Sequence, residues 1–264
     1  SIMAEDETVF ETSTGPPRII TAASLFDGHD AAINVMRRLI QSSGAEVIHL
    51  GHDQSAKAVV DCAIQEDAHG VALTSYQGGH VEYFTYIRQL LDEAGCQHIK
   101  IFGGGGGTIT PPEIKTLHES GISKIYSPDD GRAMGLMGMI HHLMGLASEV
   151  DLVNPARLAT LNSPITAEEM ARVGLLLTMS ESADDATFKA TLETCRSSDK
   201  EVPVIGFTGT GGAGKSSLLD ELMLRILRDN PGKKVCLLCV DPTRKRTGGA
   251  LLGDRIRMNS LSNN

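Results

Sequence analysis

No apolar run in this chain reaches the ~18 residues that a membrane-spanning helix needs, and the polar, acidic amino-terminal stretch lacks the pattern of a secretory signal. These absences predict a soluble cytoplasmic protein with no membrane contact. Basic residues are also in deficit: 24 Lys and Arg face 33 Asp and Glu, a formal charge of -9. Phosphate backbones require clustered cations, which occur here only in a few short patches, so nucleic acid is excluded and small molecules or proteins are the expected partners. Cysteines are few, scattered and odd in number, which fits reduced thiols better than a disulfide framework. Cys236 and Cys239 have the C-x-x-C spacing of a metal or redox pair, yet they lie within the apolar run "KVCLLCVD", which reads as a buried strand. No histidine has zinc-ligand spacing either: His141 and His142 are adjacent on an expected helix and face different ways.

What remains is a strong alternation. At 264 residues the chain has material for two units. Residues 1–17 are polar, close on Gly-Pro-Pro and read as a mobile leader. From 18 to 146, short Val/Ile-rich runs ended by Gly or Asp alternate with longer stretches whose apolar residues recur every three or four positions, as in "RIITAASL" followed by "AAINVMRRLIQSSG". Five such strand-helix units predict an α/β domain, a flavodoxin-like doubly wound parallel sheet with helices on both faces. Ligands of such sheets bind beyond the carboxyl ends of the strands. Residues 147–201 lack strand signals and read as a helical linker. A further strand, "VPVIGFTG", then opens a second α/β unit over 202–264, expected to be incomplete.

That second unit carries the least ambiguous motif. "GTGGAGKS", Gly209 to Ser216, matches G-x-x-x-x-G-K-[ST] between an expected strand and the amphipathic "SSLLDELMLRILRD". Glycines at 209, 211, 212 and 214, with Ala213, let backbone N–H groups close around phosphates at a helix N-terminus. Lys215 is positioned to reach the terminal phosphates, and the Ser216 hydroxyl, with Ser217 beside it, to serve a Mg²⁺ nucleotide. Farther on, "CVDPTRKRTGGALLGDRIRM" offers Asp241 and Asp254 as metal neighbours or as plain turn residues, with Arg255 and Arg257 able to approach phosphate. GTP and ATP are not distinguished, because the chain has no N-K-x-D segment.

The first unit raises a different question at "SLFDGHDAAI". His29 follows the first strand where ligands sit, and a ligating histidine usually donates its second ring N–H to a carboxylate, a role open to Asp27. Asp30 is positioned to cap the helix that follows. A solvated loop histidine is the competing reading. The third strand ends in "LTSYQGGH", placing the Thr74 and Ser75 hydroxyls at the same edge, and the fourth ends in "FGGGGGT", Gly103 to Gly107. Five glycines fill no core and carry an entropic cost, so a bulky planar ligand is expected against that backbone; a phosphate loop is the alternative, although no helix is expected directly after it.

Taken together, D-x-H after strand one, a hydroxyl at the end of strand three and glycines after strand four resemble the D-x-H-x-x-G, S-x-L and G-G pattern of base-off, histidine-on cobalamin-binding domains. Ala32 stands where that pattern has glycine, and Thr74-Ser75-Tyr76 replaces S-x-L. "SLFDGHDAAINVMRRL", "SYQGGHVEYF" and "FGGGGG", followed by a linker and the P-loop, are similar to the fused isobutyryl-CoA mutases, whose GTPase chaperone domain is of the MeaB type. The resemblance implies His29 as the lower ligand to cobalt, with Asp27 as its acceptor and Gly28 and Asp30 beside it. Thr74, Ser75, Tyr76 and Gly103 to Gly105 would lie along the displaced nucleotide tail of adenosylcobalamin. It further implies GTP with Mg²⁺ on Ser216, Asp241 and Asp254, hydrolysis through Lys215 and Asp241, and a nucleotide contact at Arg257. In an intact family protein it implies a homodimer, an adenosyltransferase as cofactor donor, and acyl-CoA bound by a barrel that this chain lacks. A non-catalytic corrinoid carrier and a cobalamin-sensing regulatory NTPase are the alternatives.

Overall fold

In a computed structural model the protein is described over residues 8–240. Five parallel strands, β1 (Arg18–Ser24), β2 (Glu46–Gln54), β3 (Gly70–Thr74), β4 (Lys100–Gly104) and β5 (Lys124–Tyr126), form one sheet in the order β2-β1-β3-β4-β5. β1 and β3 lie inside the sheet and are buried on both faces, which is why their sequences are continuous apolar runs without alternation. Between them run α1 (Asp30–Ser42), α2 (Ala56–Gln65), α3 (His80–Glu93) and α4 (Pro111–Glu119), with α5 (Pro128–Ser148) after β5. The predicted doubly wound, flavodoxin-like sheet is therefore present. Sequence sets where the helices begin: the Ser55 side chain accepts the Ala58 N–H ahead of α2, and Ser127 and Asp130 form a capping box with Pro128 at the start of α5.

One face of the sheet packs Val59, Phe84, Ile87, Leu91 and Leu117 of α2, α3 and α4 against Ile20, Val71 and Ile101. The opposite face packs Ile40 of α1 and Ile140, Leu143 and Met144 of α5 against Ile19, Phe102 and Tyr126. Helix α5 is interrupted at Gly135, whose φ of 67° and ψ of 174° are open to glycine and strained for other residues. Residues 147–201 hold α6 (Pro155–Leu158), α7 (Met170–Ser182) and α8 (Asp185–Cys195), which share a small core of Leu161, Ile165, Leu175 and Met179. α7 lies close against α2, since a Cβ on Gly174 would stand 3.0 Å from the Ile64 carbonyl oxygen.

Three expectations differ from the structure. The leader is fastened from Phe10 onward: Phe10 packs on the α1/α5 face, Thr12 and Gly15 form a bridge, and Ser13 donates to Asp151 at 2.8 Å. Residues 202–209 form no strand, and Val202, Val204 and Ile205 are exposed at 77, 93 and 76%. Likewise 234–240 form none, and Cys236 and Cys239 are exposed rather than buried. A strand exists only by pairing, and among the described residues neither segment has a neighbour to pair with. The helix after the P-loop does form, as α9 (Lys215–Asp229), because its hydrogen bonds are internal.

Candidate ligand site at the carboxyl edge of the sheet

The loop from β1 to α1 is organised by one carboxylate. Asp27 is fully buried, and its Oδ1 accepts both the His29 backbone N–H at 2.9 Å and His29 Nδ1 at 2.8 Å. Its Oδ2 accepts the Tyr76 N–H at 2.7 Å, so the end of β1 is tied to the end of β3. Burial alone would raise the Asp27 pKa, but hydrogen bonds from the backbone of His29 and Tyr76 and from the His29 ring outweigh it and hold the group ionised below the usual carboxylate range. Two bonds from one residue to Asp27 make a tight turn, which explains a correction at the helix start. Helix α1 begins at Asp30, so its N-cap position falls on His29, which makes no side-chain cap bond, rather than on Asp30.

The His29 side chain is 59% exposed, lies 5.7 Å from the Tyr76 ring centroid and has Gln77 Nε2 3.3 Å from its Nδ1. With Nδ1 engaged as a donor to Asp27, Nε2 carries the free lone pair. That is the state a metal-ligating imidazole needs. Phe26, one residue before Asp27, takes φ of 63°, a left-handed conformation that costs ~1–2 kcal/mol for a bulky side chain. Gly28 has nothing within 4 Å of an added Cβ, so neither space nor backbone angle demands glycine there.

Beside this loop a cavity of about 470 Å³ opens between the sheet and the α1/α5 pair. Its floor is Ala72, Leu73, Thr74 and Gly103 to Gly106, with Tyr76 at one end. Ile33 and Met36 of α1 and Leu136, Met139 and Leu143 of α5 form the walls. Thr74 lines the cavity, and its own Oγ1 is buried with no hydrogen-bond partner. Ser75 does not line it: its hydroxyl accepts from Ser24 at 3.2 Å, its N–H donates to the Gly104 carbonyl at 2.9 Å, and its carbonyl accepts from Thr108 Oγ1 at 3.1 Å. The α5 wall was not read from the sequence, although the Met- and Gly-rich "GRAMGLMGM" carries the signal of a deformable surface.

The glycine run serves two purposes. A Cβ on Gly103 would lie 2.4 Å from Phe84 and one on Gly105 1.9 Å from the Ser75 carbonyl oxygen, so the protein's own packing requires those two. Gly104 differs: only the Tyr126 carbonyl oxygen, at 3.7 Å, lies near an added Cβ, and the residue lines the cavity. A 3₁₀ turn over Gly106–Thr108 takes up the last two glycines, and α4 begins only at Pro111, so no α-helix starts directly after the run.

In the P-loop, Lys215 Nζ donates to the Gly209 and Thr210 carbonyls at 2.7 and 2.8 Å, and Gly212 and Gly214 take φ of 77° and 80°. Gly211, Ala213, Ser216 and Ser217 are exposed around the start of α9. Asp241, Asp254, Arg255 and Arg257 lie outside the described residues. Among the described residues no group of three or more His, Cys, Asp and Glu is placed to hold a metal ion. No described helix is long and apolar enough to cross a membrane.

The family described as "B12 binding domain" matches residues 17–126, and "Methylmalonyl Co-A mutase-associated GTPase MeaB" matches residues 170–264. The chain is 51% identical over 252 residues to a protein of Geobacillus kaustophilus named "Fused isobutyryl-CoA mutase", and 54% identical over 249 residues to one of that name from Nocardia farcinica. Each alignment takes in 93% of this chain and 23% of the relative. Over 93% of its length the chain is homologous to the fused isobutyryl-CoA mutases. It spans about a quarter of the length of these relatives, covering a cobalamin-binding and a GTPase segment of the family. A further relative, the "2-hydroxyisobutanoyl-CoA mutase small subunit" of Aquincola tertiaricarbonis, is 33% identical over 115 residues, which are 43% of this chain and 82% of that one. Those segments imply cobalamin and GTP as ligands.

Proposed function

We propose that this chain is the cobalamin-binding and GTPase-chaperone portion of an adenosylcobalamin-dependent isomerase that interconverts isobutyryl-CoA and n-butyryl-CoA. The observation that carries the reading is the buried Asp27 carboxylate holding His29 Nδ1 at 2.8 Å, next to an apolar cavity lined by Thr74 and the strand-four glycines. These residues fit a corrinoid bound through histidine. With Nδ1–H donating to Asp27, the ring would be held with Nε2 available to cobalt. The base of a displaced nucleotide tail is planar and mostly apolar, which suits the apolar walls of the cavity. Gly104 supplies the open strip of backbone on which such a base lies, with Tyr76 closing the end.

Bound adenosylcobalamin supplies an adenosyl radical for the carbon-skeleton rearrangement; the protein positions it and tunes its electronics. In the second segment, the loop from Gly209 to Ser216 closes backbone N–H groups around the phosphates of GTP. Lys215 would exchange the loop carbonyls for the terminal phosphates, and Ser216, Asp241 and Asp254 are the residues that would hold Mg²⁺. Hydrolysis gates loading of the cofactor, with an adenosyltransferase as donor and a homodimer as the intact assembly. Competing titrations of the chain with adenosylcobalamin and methylcobalamin test the reading. Preference for the adenosyl form supports it, and preference for the methyl form would assign the chain to the corrinoid carriers instead.

A further inference from the structure

Three non-glycine residues among those described have positive φ: Phe26 at 63°, Asp53 at 56° and Asp67 at 47°. Two of them are bonded to each other beside the His29 loop. Asp53 Oδ1 accepts the Phe26 N–H at 2.7 Å, and the Asp53 N–H donates to the Asp27 carbonyl at 3.3 Å. Asp53 thus grips the chain on both sides of the bond joining Phe26 to Asp27. It reaches that place through irregular pairing of the two strands. β1 advances from Thr21 to Ser24 while β2 advances from His49 to Gln54, so β2 carries extra residues there and its end bends toward the loop.

Packing does not account for the conformation of Phe26. Its side chain is 81% exposed, so no burial offsets a left-handed backbone that a bulky residue avoids. A turn bond from the Asp27 N–H to the Ser24 carbonyl at 3.0 Å spans Phe26, and the two bonds to Asp53 hold that turn from outside. The strained backbone has one evident consequence: it delivers the next residue, Asp27, into the buried position from which its two oxygens reach His29 and the Tyr76 N–H.

We propose that Asp53 is a positioning residue for His29, acting by holding Phe26 in the left-handed region and so fixing where Asp27 meets the imidazole. The role in cofactor ligation rests on the cobalamin reading above; the effect on the geometry of His29 does not. Loss of the carboxylate lets Phe26 relax to an ordinary conformation, which turns the peptide leading into Asp27 and breaks the contact with the ring.

The test uses the 264-residue chain and two readouts: the His29 Nδ1–H resonance by nitrogen-edited NMR without cofactor, and the visible spectrum on titration with adenosylcobalamin. Asp53→Ala is expected to lose the Nδ1–H signature and to bind about tenfold more weakly with less histidine ligation, the scale of one lost bond to a charged acceptor. Asp53→Asn keeps an acceptor oxygen and tolerates positive φ, so it stays close to wild type. Phe26→Gly combined with Asp53→Ala restores the signature, because glycine takes the left-handed conformation without a clamp. A role in stability alone would not be rescued by deleting the Phe26 side chain, and the double variant also reports if Asp53→Ala does not fold. Unchanged His29 resonance and ligation in Asp53→Ala, or no recovery in the double variant, overturns the proposal. If wild-type chain shows no His29-dependent spectrum, the cobalamin reading fails, and the cofactor-free resonance still judges Asp53.

Discussion

Arg157 Nη2 lies 2.6 Å from Asp67 Oδ1, joining α6 to the turn before β3 across 90 residues of sequence. Thr178 Oγ1 of α7 donates to the other oxygen of Asp67 at 2.8 Å. Burial would raise the Asp67 pKa, but His98, Arg157 and Thr178 together pull it below the usual range. The linker helices are therefore fixed to the amino-terminal edge of the sheet, opposite the edge that carries His29. Removing Arg157 strands a buried carboxylate, so Arg157→Ala is expected to cost ~3–5 kcal/mol in urea unfolding. Asp67→Ala should be severe as well, and the double variant less so than the sum of the two, which a double-mutant cycle measures.

Adjacent glycines on β4 and just beyond it are expected to respond differently to one methyl group. Gly103→Ala and Gly105→Ala meet Phe84 and the Ser75 carbonyl at 2.4 and 1.9 Å, so each should lose ~1–3 kcal/mol of stability, the usual cost of overpacking. Gly104→Ala has room and should keep its melting temperature while weakening cobalamin binding, since its methyl enters the cavity. Thermal melts and titrations on the three variants separate fold from site.

His69 sets a pH dependence. It is buried between the Arg18 N–H, which donates to its Nδ1 at 2.9 Å, and Thr12 Oγ1, 3.2 Å from its Nε2. Burial first, and then the Arg18 charge, lower its pKa to about 4. Between the ordinary histidine pKa and that value the unfolded chain binds a proton that the native one refuses, so stability falls as pH drops through this window and is complete above it. The full loss from this one group is about 3 kcal/mol. Urea midpoints measured across the window should show the slope, and His69→Gln should flatten it.

Much of this architecture is legible locally. Short Val/Ile runs ended by Gly or Asp mark strands, and apolar spacing of three and four marks helices. Asp27 and His29 sit two residues apart, so their contact is a matter of turn chemistry that sequence can suggest. The Asp67 hub and the Asp53 grip on Phe26 are not legible, because each brings together residues far apart in sequence through packing or through a strand irregularity. The glycine run misleads in part, since Gly103 and Gly105 answer to the protein's own side chains and backbone, whereas a Cβ on Gly104 between them meets nothing closer than 3.7 Å. Apolar runs near 202 and 234 read as strands because composition reports burial potential, while strand formation also needs a neighbour.

The role of His29 is tested most directly by titrating adenosylcobalamin into the wild-type chain and into His29→Ala and following the visible spectrum. Wild type is expected to give the base-off, histidine-ligated form, and His29→Ala a base-off spectrum without nitrogen ligation and with weaker binding. Identical spectra and affinities for the two would contradict the assignment of His29 as the cobalt ligand.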